Sequence, residues 1–373
     1  MSTAVPESAS PAPSDDPAAP PTKAEASVAR RVLPKLAISI ALAALFVWLI
    51  RRGGMPLIPP ADAFARVCWW SVPGYMALLV ATHYFRASRW RFLIAPVKAV
   101  PFREVILLNW IGFFAIFALP LRLGEMARPA LTKIRQGVPI SAGFGTVAVE
   151  RVFDGLVTSL CVVWALVVLP RLETDDPLAR SLPYYGGVAV AVFSAAMIGL
   201  VLFLWQRSLA IRLVDWTFGL VSKRLSTVVS AKVDSVADGV RSIAEPRLLT
   251  GFIAETLVYW GINALGMWML AWGCGLELSF GHAVAVMGIL AIGILLPAGP
   301  GLFGNFQLAI SVALRLYFAD EIVGEQGAVY VFLMYVTQAL VITVAGVLPL
   351  YAMKLRFRDL LRTESGSASA SAS

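Results

Sequence analysis

Apolar residues in this chain come in long blocks set apart by shorter polar segments, not in alternation with them. A hydrocarbon layer of about 30 Å asks for roughly 20 consecutive apolar residues per helix. Blocks of that kind at 32–50, 66–85, 142–169, 184–205, 249–272 and 327–351 predict six full transmembrane helices. Two further stretches, 104–119 and 281–297, are shorter and do not end in ordinary loops. The first runs into PLRLGEMARP and the second into PAGPGLFGNFQ. Proline and glycine interrupt a helix, and irregular backbone at membrane depth persists only where protein or a water-filled cavity covers it. Both stretches therefore predict re-entrant helical hairpins.

Outside these blocks the pattern changes. Residues 1–28 are rich in Ala, Pro and Ser, and 361–373 close on ESGSASASAS. Neither segment has the apolar content to form a core, which predicts two disordered tails around a membrane domain at 29–360. The connector 206–247 is polar enough to leave the membrane. Val214, Phe218, Val221, Leu225 and Val228 fall at helical spacing, and Val229, Val233, Val236, Val240 and Ile243 repeat it one residue out of phase. That pattern predicts amphipathic helices, either lying on the inner membrane surface or packed as a hairpin under the protein.

Composition excludes a soluble fold. Of 373 residues, 58% are hydrophobic and 14% charged, against about 45–50% and 25% in soluble domains. The chain carries 31 Lys+Arg and 23 Asp+Glu, a net charge of +8. In a membrane protein such an excess gathers in cytoplasmic loops, so no nucleic-acid partner is expected. With both termini cytoplasmic and each hairpin returning to its own side, 24 Lys/Arg face inward, among them Arg86, Arg89 and Arg91. Five face outward: Arg51, Arg52, Arg66, Arg171 and Arg180. Under this topology 66–169 and 249–351 each read span, hairpin, span, in opposite orientations. The expected architecture is an all-α polytopic membrane protein with six full spans and two re-entrant hairpins in an inverted repeat. Secondary transporters are commonly built this way.

Polar residues inside the apolar segments are the candidates for chemistry. Arg122, Gly124, Glu125 and Arg128 stand at the first break, where a new helix near Glu125 or Met126 would offer unpaired N–H groups and arginine forks to an anion. Asn109 lies in the preceding apolar helix. Glu150, Arg151 and Asp154 share one span, and charges at that depth require partners; an arginine of the first hairpin is one expected partner for Glu150 or Asp154. The second break, Pro297, Gly299, Pro300, Gly301 and Gly304, cannot continue a helix, and Asn305 and Gln307 start the next one. Arg315 follows, and Glu255, a lone carboxylate in the fifth span, is read as either its counter-ion or a protonatable group. His83 and His282 lie far apart, and Cys68, Cys161 and Cys274 lack metal or redox spacing, so neither metal nor cofactor is expected and the cysteines read as small buried apolar groups.

At this point the chain resembles a known family. PLRLGEMARPALTKIRQGVPISAGFGTVAVERVFDG, residues 120–155, is similar to the signature of the lysylphosphatidylglycerol synthase transmembrane region, the flippase-like domain family. Pro120, Arg122, Gly124, Glu125 and Arg128 match one block, Glu150, Arg151 and Asp154 a second, and 297–307 a third; the resemblance spans about 32–355. In place of the family's usual Glu after the third block the chain has Gln307. The resemblance implies a multi-pass protein of the bacterial inner membrane that moves lipids between leaflets. It also implies only the membrane half of the multiple peptide resistance factor, without the aminoacyltransferase, and hence no enzyme.

The expected function is translocation of an amphiphilic lipid, anionic or isoprenoid-linked. Arg122, Arg128 and Arg151 would hold its head group, and Glu125, Glu150 and Asp154 would orient them. The alternatives are a non-transporting accessory protein of a hopanoid or glycolipid pathway, partnered with lipid-biosynthesis enzymes, and a membrane-embedded enzyme acting on lipid phosphates.

Overall fold

The computed structural model describes residues 23–52, 55–119, 124–170, 172, 177–206, 216, 223–296 and 299–353. All regular elements among them are helical. The chain runs through α1 (Lys23–Arg52), α2 (Ser71–Ser88), α3 (Trp90–Ile94), α4 (Phe102–Ala118), α5 (Ala127–Gln136) and α6 (Ile140–Val168). It continues through α7 (Pro177–Trp205), α8 (Lys223–Val240), α9 (Pro246–Gly273), α10 (Phe280–Gly293), α11 (Asn305–Leu314) and α12 (Ala328–Ala352). Among the described residues, four helices are long and apolar enough to cross a membrane: Ile140–Val168, Arg180–Trp205, Pro246–Gly273 and Asp320–Ala352, the last including the short turns before α12.

The other two apolar blocks predicted as spans coincide with α1 and α2, with shifted starts, and neither of these is among the four. α1 begins at Lys23, so residues 23–28, assigned to the tail by composition, are helical; KAEASVA is made of adequate helix formers. The rest of that tail and all of 361–373 lie outside the described residues. α2 begins at Ser71 instead of 66, because Ala61–Arg66 forms a 3₁₀ turn and Val67 is extended. Pro73 sits in the first turn of α2, where its missing N–H leaves no bond unmade.

Packing places α2 and α9 side by side at the centre, with α4 against α12 and α10 against α6. α7 flanks α6. The helix pairs meet at small residues, as close packing between membrane helices requires. Phe114 of α4 fills the space over Gly346 of α12, and a Cβ at Gly288 of α10 would lie 2.8 Å from the Val162 side chain of α6. The largest apolar core joins α2, α9, α10, α11 and α12. A second forms around Trp90, Leu93 and Phe252, where α3, α6, α8 and α9 meet.

Both helix breaks occur where expected, and each is closed by specific groups. After α4, residues 120–123 lie outside the described segments; Gly124 then comes back so tightly onto Ala115 and Ile116 that no side chain fits there. After α10, Gly301 and Gly304 adopt φ of +72° and +85°, which glycine tolerates without steric cost. The Asn305 amide donates to the carbonyls of Gly293 (2.9 Å) and Leu296 (3.2 Å) at the end of α10. Gln307 Oε1 accepts the Gly304 N–H at 2.8 Å, and the Tyr335 hydroxyl donates to the Gly301 carbonyl at 3.1 Å. α1 lies across this break, with Ala43 against Gly299 and Phe46 against Gly304. The irregular backbone of this break is thus covered and bonded.

Of the connector 206–247, residues 207–215 and 217–222 lie outside the described residues. Its second half, α8, packs on the first turns of α6, with Val236, Ala237 and Val240 facing inward. A Cβ at Gly239 would overlap the Ala142 carbonyl oxygen, and Gly145 faces the same crossing. Gly239→Val is therefore expected to cost about 1–3 kcal/mol through overpacking, read as a lower unfolding midpoint in detergent and faster hydrogen exchange across 223–240. Gly199→Ala, with nothing within 4 Å of the added Cβ, is expected to change neither.

Candidate functional site

The site is built on one face of α2. Tyr75, Leu79, Thr82, His83 and Arg86 recur at helical spacing and point into the same cavity. Arg89 stands one turn beyond Arg86, where α2 gives way to α3, and is only 1% exposed. A guanidinium so placed needs an anion, and Asp154 of α6 supplies it. Arg89 Nη1 and Nη2 donate to Asp154 Oδ1 and Oδ2, each at 2.7 Å, the bidentate geometry that makes such pairs strong. Three groups of α9 complete the cluster. Thr256 accepts from Arg89 Nη1 at 3.0 Å, while the Tyr259 hydroxyl and Trp260 Nε1 donate to Asp154 Oδ1 at 2.8 and 3.2 Å. The Arg89 guanidinium also lies 4.5 Å from the centre of the Tyr259 ring.

A second buried pair joins α5 to α6. Arg128 of α5 donates to Glu150 and, at 2.6 Å, to the Asn109 side-chain carbonyl. The Asn109 amide donates onward to the Val105 carbonyl at 2.8 Å. Trp90 lies beside Arg128, 5.3 Å from ring centre to guanidinium, and donates to Thr146 at 3.0 Å. Glu125 and Arg151 approach to 3.8 Å. Together with Gly112, Phe113, Ile116 and Val147, Glu125, Arg128 and Arg151 border a small void of about 10 Å³.

The main cavity has a volume of about 140 Å³ and opens between α2, α4, α6, α9, α10 and α12. Its two ends differ. Arg86, Arg151, Asp154 and Tyr259 line one end, where α2, α6 and α9 carry the ion-pair cluster. Along α2, Tyr75 lies eleven residues before Arg86, about 16 Å away; Gly266 of α9 abuts it. Met267, Met287, Leu290, Phe306 and Met334 also line the cavity and belong with Tyr75 to the largest apolar core. Thr82, Thr158, Asn263 and Gln338 supply neutral polar groups.

Arg86 is the charge this arrangement does not neutralise. Among the described residues no carboxylate lies within ion-pair distance of it, and both Asp154 oxygens are taken by Arg89. What it has is the face of Phe113, 4.4 Å from its guanidinium. A cation–π contact is worth about 0.5–2 kcal/mol, whereas a charge in a membrane helix costs about 2.5–3.5 kcal/mol on the mildest scale. The contact is too weak on its own. Water or an anion in the cavity has to make up the difference.

The expected site residues thus separate into groups. Arg151 and Asp154 line the main cavity; Glu125 and Arg128 border the adjoining void; Glu150 is behind them, holding Arg128. Arg122 and Pro297 lie outside the described residues. None of the five expected polar lining residues reaches the cavity. Asn109 holds Arg128; Asn305 and Gln307 hold the second break. Glu255 pairs with Arg91, and Arg315 with Asp320 at 3.6 Å, so the expected Glu255–Arg315 pair does not form: Arg91 stands against α9 first. Gly124, Gly299, Pro300, Gly301 and Gly304 shape the breaks without lining the cavity, whereas Leu302 between them does. Of the cysteines only Cys274 is buried; Cys161 is half-buried and Cys68 exposed.

Sequence reasoning missed Arg86, Arg89, Tyr259 and Trp260. The signal was present in His83, Arg86 and Arg89, spaced by three on one helix face, but positive-inside counting absorbs those arginines into a loop. Removing one partner of a buried pair strands the other, which costs about 3–5 kcal/mol. Asp154→Asn is expected to destabilise by that order in thermal unfolding in detergent. In a double-mutant cycle, Arg128→Ala and Glu150→Ala should be non-additive by about 0.5–3 kcal/mol.

Comparison with curated proteins and with solved structures yields no match. Residues 36–346, however, match the family model described as "Lysylphosphatidylglycerol synthase TM region". The chain therefore belongs to the lysylphosphatidylglycerol synthase transmembrane-region family.

Proposed function

We propose that this protein is a lipid translocase, moving an amphiphile between leaflets with its head group in the central cavity and its chains in the lipid. One observation carries the reading: a cavity between the two broken hairpins with arginines at one end and methionine, leucine and phenylalanine at the other. A two-ended cavity of this kind matches a molecule with two ends. Its volume of about 140 Å³ suits part of a head group, not a whole lipid, so the chains would stay outside.

The packing pattern supports an inverted repeat. Under the pairing of α2 with α9, α4 with α10, α5 with α11 and α6 with α12, the contact of α4 with α12 becomes that of α10 with α6, and both exist. The central pair α2–α9 maps onto itself. In this reading α4–α5 and α10–α11 are re-entrant hairpins entering from opposite sides, and rocking of one repeat against the other exposes the cavity to each leaflet alternately. The protein sits in the inner membrane with both termini cytoplasmic, on the strength of the basic-residue asymmetry. It performs no covalent chemistry.

Two measurements test this. Purified protein in liposomes should speed the leaflet exchange of fluorescent phospholipids, read by quencher accessibility, and Arg151→Gln should slow it at least about tenfold, the scale of one lost charge-assisted hydrogen bond. No protein-dependent movement of any anionic or polyprenyl lipid would sink the proposal. The orientation is read separately: in intact cells an impermeant maleimide should label exposed Cys68 from the outer side, and a Cys68→Ala protein should not be labelled.

A further inference from the structure

Resting on the reading of the central cavity as a lipid head-group site, we infer that its ligand is a lipid with a net negative phosphodiester head, anchored by Arg86, and not a cationic aminoacylated lipid. Three observations carry this. Arg86 lines the cavity without an ion pair among the described residues, its guanidinium resting on Phe113. His83, one turn before it and 6% exposed, lines the same cavity, and neither ring nitrogen has a hydrogen-bond partner. Arg151 Nε, facing from α6, is buried and unpartnered as well. The Arg86 guanidinium, Arg151 Nε–H and one N–H of the His83 ring thus all belong to side chains lining this cavity, and N–H groups of this kind are satisfied by acceptor oxygens.

The carboxylates point the same way. A cationic head group would need a free acid. Asp154 has both oxygens bonded to Arg89 and receives further bonds from Tyr259 and Trp260. Glu125 faces Arg151. Burying an ammonium beside Arg86 and Arg151 would set like charges together with no unused anion to offset them. A phosphodiester brings the opposite balance: one negative charge for the one unmatched guanidinium, with oxygens for Arg151 Nε and His83. The apolar far end of the cavity favours a lipid over a free phosphate ester.

The test is binding, separate from movement. Full-length protein in detergent micelles is titrated with a fluorescent phosphatidylglycerol, and bound probe is displaced by unlabelled phosphatidylglycerol, lysyl-phosphatidylglycerol, phosphatidylcholine or sn-glycerol 3-phosphate. Phosphatidylglycerol is expected to bind at least about tenfold more tightly than lysyl-phosphatidylglycerol or phosphatidylcholine, and glycerol phosphate far more weakly than the lipid. Arg86→Gln should lose about tenfold in phosphatidylglycerol affinity, and Arg86→Lys should recover part of it. Arg66→Gln, on the exposed 3₁₀ turn before α2, should bind as the parent does. Elution as a single species with an unchanged unfolding midpoint establishes that Arg86→Gln folds; if it does not, Arg86→Lys and the lipid series decide alone. Lysyl-phosphatidylglycerol binding as tightly as phosphatidylglycerol, or a folded Arg86→Gln binding it at the parent affinity, overturns the inference. Glycerol phosphate binding as tightly as the lipid overturns the lipid assignment. Selective binding without leaflet exchange would leave the inference standing and remove translocation, so the two fail separately.

Discussion

A guanidinium and a carboxylate brought together out of water set the frame for the rest of this molecule. Removing the charge of Arg89 from solvent would cost several kcal/mol even after relaxation, and the same holds for Asp154. Their two-pronged bond recovers this only while both stay in register, within a few tenths of an ångström. Because Arg89 follows α2, Asp154 belongs to α6, and Thr256, Tyr259 and Trp260 belong to α9, that register is a constraint on three helices at once. Apolar packing between membrane helices is weakly directional, since lipid tails are as apolar as the side chains they would replace. The polar cluster supplies the direction. It sets α2 against α9 along the centre and fixes the end of the cavity where charge is concentrated.

A parallel logic governs the two breaks. Each frees backbone groups that would be prohibitively costly to leave unbonded in hydrocarbon, and in the second break each freed group named above meets a definite partner: Asn305 for the end of α10, Gln307 for Gly304, Tyr335 for Gly301. Gln307 shows how this constrains chemistry. Its Oε1 is occupied by a main-chain N–H and the side chain is buried away from the cavity, so at this position the amide acts as a helix cap. A carboxylate could accept the same bond, which explains why the break is intact with Gln in place of the family's usual Glu.

Much of this fold was legible in the sequence because the bilayer restricts a chain so severely. Block length fixed the helices at 142–169, 184–205, 249–272 and 327–351 to within a few residues at their C-terminal ends, and the Pro–Gly runs marked both breaks. Starts were less legible: α2 begins five residues late because Val67 is extended, a local choice that hydropathy does not register. In the site, Glu150, Arg151 and Asp154 stood out because charge is scarce inside apolar blocks, and a hairpin arginine for Glu150 followed from the need for a partner. The identity of the other partners did not follow. Arg89 belongs to a basic run that satisfies a topology rule equally well whether its members face cytoplasm or core. Tyr259 and Trp260 are ordinary interior aromatics until a carboxylate is placed beside them. Those relations exist only in three dimensions.

The distinction between Arg89 and Arg86 is what the proposed ligand rests on. Both lie on the same helix face a single turn apart, yet one is locked to Asp154 and the other rests on an aromatic ring. Had both been structural, a second acid within reach of Arg86 would have lowered the cost of burying it, and Glu150 and Asp154 show that α6 can carry acids at this depth. Instead each acid lining the cavity or the adjoining void is committed to another arginine, and the surplus charge lines the cavity itself. A charge kept unmatched in a membrane protein costs stability at all times. It is offset only when a counter-charge arrives, so binding energy at Arg86 comes from relief of a cost already present in the empty protein. Such a site favours a head group that brings negative charge and releases it when hydrated by water at the opposite leaflet. Under the proposed translocation, that reversible exchange between protein donors and water is what leaflet-to-leaflet movement would require, and a fully paired arginine could not take part in it.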